Sequence, residues 1–153
     1  MAALLALLLT VIPPPTPQTQ WMRLESFHLA IGMPRSQAMS AVRAWNPKRG
    51  RNANEIFVDY SSDKALTLDF KADRLKAVRF ELFVFRPQVR KAFDEKRSDL
   101  RKVLGEPRKA TKSILIYDSV LPNIMVVAAD DPTSTHGKKG LGVLAVRYYD
   151  PRG

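Results

Sequence analysis

Apolar residues at every second position near the middle of the chain restrict the folds open to it. From Leu75 to Phe85, positions 78, 80, 82 and 84 are all apolar, which is the period of a β-strand with one buried face. A second alternating run, Ala65–Lys71, precedes it, and only Ala72-Asp73-Arg74 separates the two runs. Because so short a connection joins antiparallel strands, we expect a hairpin here.

Two segments of helical periodicity precede and follow these strands. From Pro34 to Trp45, apolar residues recur at helical spacing; Pro34 suits the first turn and Asn46-Pro47 closes the segment. A longer amphipathic run begins after Arg86-Pro87, at about residue 88, and ends at residue 104, before Gly105. Its apolar stripe consists of Val89, Ala92, Phe93, Leu100, Val103 and Leu104. We predict one helix in each segment.

Each predicted helix is followed by three strand-like runs, so the order of elements repeats. The first set is 55–60, 65–71 and 75–85, and the second is 113–118, 123–129 and 141–149, with loops at 48–54 and 130–140. We predict an α+β fold in which tandem helix-strand-strand-strand units form one antiparallel sheet with the helices packed on one face. Neither pseudo-repeat, about 27–86 or 87–150, can bury its own sheet face. We therefore expect a single domain over residues 21–153.

The first twenty residues contain no charged side chain. Ala2–Ile12 is apolar and too short to span a bilayer, which takes about twenty residues, but it matches the apolar region of a secretory signal. We therefore expect 1–20 to be a signal or anchor segment with a proline-rich linker, and the domain to be periplasmic, in the cell envelope or secreted. No Lys or Arg precedes the run and no clear cleavage site follows it, so a packed apolar tail stays an alternative.

Composition and motifs exclude several classes of function. The chain has no cysteine, which rules out disulfides, thiolate metal sites and cysteine nucleophiles. It has no nucleophile elbow, phosphate-binding loop or dinucleotide motif. His136 with Asp130 and Asp131 is a metal-site alternative, but a polar hairpin tip accounts for the same residues. We assign no catalytic residue, metal ligand or cofactor, and we favour a non-enzymatic role.

The formal net charge is +10, and it all lies after residue 20. On the second predicted helix, Arg90, Arg97 and Arg101 share one face, which would suit nucleic acid or the head groups of anionic lipids. Asp94 interrupts this row one turn after Arg90, an arrangement typical of an ion-paired solvent face. Because an exported protein seldom meets nucleic acid, we keep polyanion binding through residues 88–104 as the alternative to a protein partner, with contact to a membrane surface left open.

Strand alternation also predicts which residues line the sheet face opposite the helices. This face combines aromatic residues with arginines, a composition enriched at protein interfaces. The candidate partner-binding residues are Phe57, Asp69, Arg79, Phe83, Arg147 and Tyr149. The alternative is that residues 21–27, or a second copy of the chain, cover this face for packing.

The stretch IGMPRSQAMSAV, from Ile31 to Val42, resembles the opening of small exported domains of the outer-membrane-assembly lipoprotein (SmpA/OmlA) and β-lactamase-inhibitor-protein type. In those families a Gly-Met pair precedes a helix that ends in a Leu-Gly-x-Pro turn, and an antiparallel meander follows. Leu104-Gly105-Glu106-Pro107 supplies that turn in the second half, and Trp45-Asn46-Pro47 is a degenerate counterpart in the first. The chain departs from the lipoproteins in having no cysteine for lipidation. The resemblance implies a non-catalytic, protein-binding role outside the cytoplasm.

Overall fold

One antiparallel sheet, with helices on one of its faces, organises the part of the chain that the computed structural model describes, residues 27–118, 123–129 and 141–151. The two α-helices in these ranges are α1 (Arg35–Val42) and α2 (Val89–Leu104). The strands are β1 (Lys48–Arg49), β2 (Glu55–Ser61), β3 (Lys64–Lys71), β4 (Arg74–Phe85), β5 (Lys109–Ala110), β6 (Ile114–Tyr117), β7 (Asn123–Ala129) and β8 (Leu141–Tyr149). Their order across the sheet is β1-β2-β3-β4-β8-β7-β6-β5.

This architecture confirms the predicted α+β fold with tandem units and one antiparallel sheet. The six predicted strands correspond to β2–β4 and β6–β8, with ends displaced by no more than one residue. The first predicted helix is α1 followed by a 3₁₀ turn, Arg43–Trp45. The prediction of a loop over 48–54 was wrong at its start, because Lys48–Arg49 forms β1. A two-residue strand is too short to show alternation in a sequence.

An approximate two-fold axis relates the two halves of the sheet. Shifting the sequence by 66 residues superimposes Phe80 on Val146 and Val78 on Leu144. In the β4–β8 ladder Phe80 pairs with Val146 itself, whereas Val78 pairs with Tyr148. Phe80 therefore pairs with its own equivalent, whereas Val78 pairs with a residue that lies on the other side of Val146 from its equivalent, Leu144. This is the pairing expected when a two-fold axis passes between Phe80 and Val146. The two units therefore join through their last strands.

Both helical segments end at a residue with positive φ, which turns the chain back toward an edge strand. Gly105 has φ of 77°, and its N–H donates to the carbonyl oxygen of Arg101 at 2.9 Å. Asn46 has φ of 53° and closes the 3₁₀ turn in the same way, with its N–H bonded to Arg43. Asn46, with ψ of 64°, is in the left-handed helical region that asparagine tolerates, whereas Gly105, with ψ of −148°, is in a region open essentially to glycine alone.

The main core lies between the helices and the sheet. Phe27 packs there against Tyr60 and Phe80, with ring centroids 4.9 and 5.9 Å apart. Each helix contributes buried residues, including Val42 from α1 and Phe93 from α2. Neither helix is long and apolar enough to cross a membrane.

The predicted apolar stripe of α2 is confirmed for most of its length but not for Val103. Phe93 is fully buried and Leu100 is 4% exposed, whereas Val103 is 65% exposed. With 3.6 residues per turn, Val103 lies about 80° around the helix from Phe93, so it faces solvent.

Candidate functional site: the open face of the sheet

The sheet face turned away from α1 and α2 is called the open face below because neither of these helices covers it, and it presents one residue in two from each long strand. Several of its side chains, including Thr67, Glu81 and Phe83, are nonetheless buried. Its side chains differ from those that build the core under the helices. The open face carries Glu55 and Phe57 of β2, Ala65, Thr67 and Asp69 of β3, Arg79, Glu81 and Phe83 of β4, Ile114 and Ile116 of β6, Met125 and Val127 of β7, and Val143, Ala145, Arg147 and Tyr149 of β8.

The six predicted partner-binding residues all lie on strands of this face, and the ladder brings five of them into two adjacent rows. Phe57, Arg79 and Arg147 belong to one cross-strand row, with Thr67 between the first two. Asp69 and Tyr149 belong to the neighbouring row. Phe83 lies two rows away on the other side, opposite Val143.

Two of the three aromatic side chains predicted as contacts, those of Phe57 and Phe83, are buried. Phe57 is 8% exposed and Phe83 is 3% exposed, and both belong to a small apolar cluster with Ala65, Val143 and the partly buried Leu141. These two rings are therefore not accessible to a partner. The accessible part of the predicted site consists of its charged residues and Tyr149.

Arg147 is the most exposed of the charged residues in the predicted site. Its side chain is 42% exposed, its Nη2 lies 3.7 Å from Oδ2 of Asp69, and its guanidinium lies 5.5 Å from the ring centroid of Tyr149. Burial raises the pKa of the Asp69 carboxyl, and the positive charge of Arg147 opposes that rise. The three side chains form a partly solvated arrangement that can accept either an acidic group or an aromatic ring.

Arg79 and Glu81 lie deeper in the same face. Nε of Arg79 is 3.5 Å from Oε1 of Glu81. Nη2 of Arg79 donates to Oγ1 of Thr67 at 3.4 Å. Glu81 is only 3% exposed, and burial raises its pKa while Arg79 lowers it. Within the described ranges, Nε of Arg79 and Oε2 of Glu81 have no hydrogen-bond partner. Both atoms are buried from solvent, so leaving them without a partner costs stability and the pair is not accessible at the surface of the face.

An apolar strip on the second half of the open face was missed by sequence reasoning. It consists of Ile114, Ile116, Met125 and Val127, which are half-buried. The ladder pairs Ile114 with Val127 and Ile116 with Met125, so the four side chains form a block. Met125 pairs in turn with Arg147, which places the strip beside the charged residues.

The signal for this strip was present in the sequence. The runs ILIY in β6 and IMVVAA in β7 are apolar on both strand faces, whereas a strand with one solvated face alternates. Alternation identifies the buried face of a strand, but in β6 and β7 the second face is apolar as well. A near-continuous apolar run therefore indicates a strand whose second face also needs a cover.

The outer strands of the sheet are short and basic. β1 is Lys48–Arg49 and β5 is Lys109–Ala110, and all four residues are exposed. Short edge strands with lysine discourage pairing with another strand. A partner is therefore expected to contact the open face rather than extend the sheet.

The basic residues predicted as the alternative site on α2 are mostly engaged with neighbours. Nε of Arg90 lies 3.0 Å from Oδ2 of Asp94, and its Nη1 donates to the Lys112 carbonyl oxygen at 2.6 Å. Arg101 pairs with Glu106. Arg97 is half-buried. This arrangement favours the ion-paired interpretation of the helix surface.

No three His, Cys, Asp or Glu side chains come together as metal ligands within the ranges that the structure describes. The alternative metal site at Asp130, Asp131 and His136 lies outside those ranges, as does the apolar segment 1–20. No protein-family model, curated protein or solved structure matches the chain. Functional assignment therefore depends on the geometry of the open face.

Proposed function

We propose that this chain is an exported, non-enzymatic domain that binds another protein through the open face of its sheet. The observation that carries the proposal is the apolar strip next to Arg147, Asp69 and Tyr149. Contiguous apolar surface bordered by polar residues is typical of protein interaction sites. Arginine and tyrosine are enriched among the residues that dominate binding energy.

Packing within the sheet does not require the composition of the strip. A sheet face open to water is normally polar, because alternation puts the apolar side chains on the core side. Ile116 and Met125 instead continue the row of Arg79 and Arg147 with half-buried apolar side chains. A partner that covers this row would bury the apolar surface and bring polar groups within reach of Arg147.

The charge of the chain indicates what such a partner presents. The net charge is +10, and both edge strands of the sheet are basic. Complementary potentials steer association and fix orientation. We therefore expect a partner surface with an apolar centre for the strip and acidic groups facing Arg147 and the sheet edges.

Export is supported by the uncharged apolar run at Ala2–Ile12 and by the resemblance of Ile31–Val42 to exported domains. The polyanion alternative has less support, since Arg90 and Arg101 are paired with acidic side chains on or near α2.

Site-specific photo-cross-linking of the full chain, in the cells that produce it, tests the proposed surface. A photoreactive residue replaces Ile116 or Met125 on the open face, and matched controls replace the exposed Lys91 or Ser98 on α2. We expect an adduct of one defined mass from the open-face positions alone, which excess wild-type protein suppresses. Adducts of equal yield from α2, or adducts from α2 alone, would contradict the proposal. So would the absence of any open-face adduct in protein that retains its wild-type melting temperature.

A further inference from the structure

On the helix side of the sheet, a cleft of about 220 Å³ lies where the two halves meet. Phe80 and Val146, which flank the two-fold axis, form part of its floor, and Leu82 and Leu144 extend it. Phe80, Leu144 and Val146 also belong to the main core, so the floor is held in place by packing on its other sides. The cleft is thus a fixed apolar surface rather than a gap between mobile loops.

Two lysines reach the rim of this cleft, whose lining also includes Tyr60 and Glu81. Lys64 reaches it from β3 and Lys96 from α2. The ammonium group of Lys64 has no hydrogen-bond or ion-pair partner among residues 27–118, 123–129 and 141–151. Lys96 is half-buried and already interacts with a neighbouring group, but an ammonium group has three donors and can bind a further acceptor. Two ammonium groups beside an apolar floor match a ligand that has an anionic end and an apolar body.

We propose that this cleft binds a small aliphatic carboxylate, with the carboxylate between Lys64 and Lys96 and the chain along Phe80, Leu82 and Leu144. The volume is below the range of about 300–1,000 Å³ that is typical of drug-sized ligands, so the occupant is a single alkyl chain. The floor residues Phe80, Leu82 and Leu144 lie on the sheet face opposite the proposed protein-binding surface. Failure of either proposal therefore leaves the other standing.

Wild-type protein and three ligands of equal chain length test the chemistry directly. Octanoate, octanol and octyltrimethylammonium are titrated separately into the isotopically labelled full chain at physiological ionic strength, and methyl chemical shifts are followed by NMR. We expect saturable shifts of the Leu82, Leu144 and Val146 methyls with octanoate. Octanol should bind at least about tenfold more weakly, because it cannot form the charge-assisted bonds, and the cation should not bind. Equal binding of octanoate and octanol, or octanoate shifts confined to other residues, would overturn the proposal.

A pair of double variants separates the cleft from the general positive charge of the chain. Lys64→Gln with Lys96→Gln removes both rim charges, while Lys71→Gln with Lys91→Gln removes one charge from each of the same two elements at exposed positions. We expect about tenfold weaker octanoate binding for the first pair and less than twofold change for the second. Equal losses of octanoate affinity in the two double variants would show that the net positive charge of the chain attracts octanoate non-specifically, and would refute the proposed site. If the rim variant fails to fold, the three-ligand comparison on wild type decides.

Discussion

Truncation of Leu100 tests whether α2 packs against the sheet as the structure shows. The side chain is 4% exposed, so Leu100→Ala loses nearly all the transfer free energy of a buried leucine, about 1.5–3 kcal/mol. The remaining cavity adds about 24 cal/mol per Å³ that does not collapse, which gives a total of about 2–5 kcal/mol. For a chain of this size, each kcal/mol lowers the melting temperature by about 2–4 °C.

Val103→Ala is the matched control, since it shortens an apolar side chain in the same helix at a position that is 65% exposed. It should change the free energy of unfolding by less than about 0.5 kcal/mol. Both values come from urea denaturation followed by circular dichroism, with the slope m compared to ensure that the unfolded states match. Equal losses for the two variants would refute the packing of α2 described above.

Three further predictions concern charge and location. Burial raises the pKa of the Glu81 carboxyl in the folded chain, so the free energy of unfolding should fall as pH rises above about 4.5. The variant Glu81→Gln has no carboxyl group at this position, so its free energy of unfolding should not show this fall with rising pH. Its stability relative to wild type, measured by urea denaturation, should therefore be lowest near pH 4 and rise toward pH 7, and a difference independent of pH would contradict the assignment. Binding to nucleic acid, measured by fluorescence anisotropy with two unrelated oligonucleotides, should be weak and equal at physiological salt; tight, sequence-dependent binding would instead favour the polyanion alternative. Cell fractionation with N-terminal sequencing of a C-terminally tagged chain should find the protein outside the cytoplasm, and an intact cytoplasmic chain would contradict export.

The fold was predictable from the sequence because its long strands and α2 each bury one face. Residues 75–85 and Val89–Leu104 show clean periods of two and 3.6 residues, and both elements were placed to within one residue. The edge strands β1 and β5 were not predictable, because two residues carry no period. The two-fold relation was suggested by the repeated order of elements, but its axis depends on the register of β4 against β8.

The candidate site was predictable only in part, because alternation tells which face a side chain takes and not how deeply it is buried. It placed Arg147 and Asp69 on the open face, where they approach each other across two strands. It placed Phe57 and Phe83 there as well, but could not show that both rings are buried, in one cluster with Ala65 and Val143. The contribution of β6 and β7 was missed, because strands that are apolar on both faces do not show the alternation that marks a solvated face.

Charge reversal on either side of the sheet tests the central claim most directly. Arg147→Glu alters the open face and Arg101→Glu alters α2, and each arginine is a partly exposed member of an ion pair. The measurement is the affinity of both variants, by isothermal titration calorimetry, for the protein identified by cross-linking. Our account predicts at least about tenfold weaker binding for Arg147→Glu and less than twofold change for Arg101→Glu. Full affinity for Arg147→Glu, or a larger loss for Arg101→Glu, would contradict recognition through the open face.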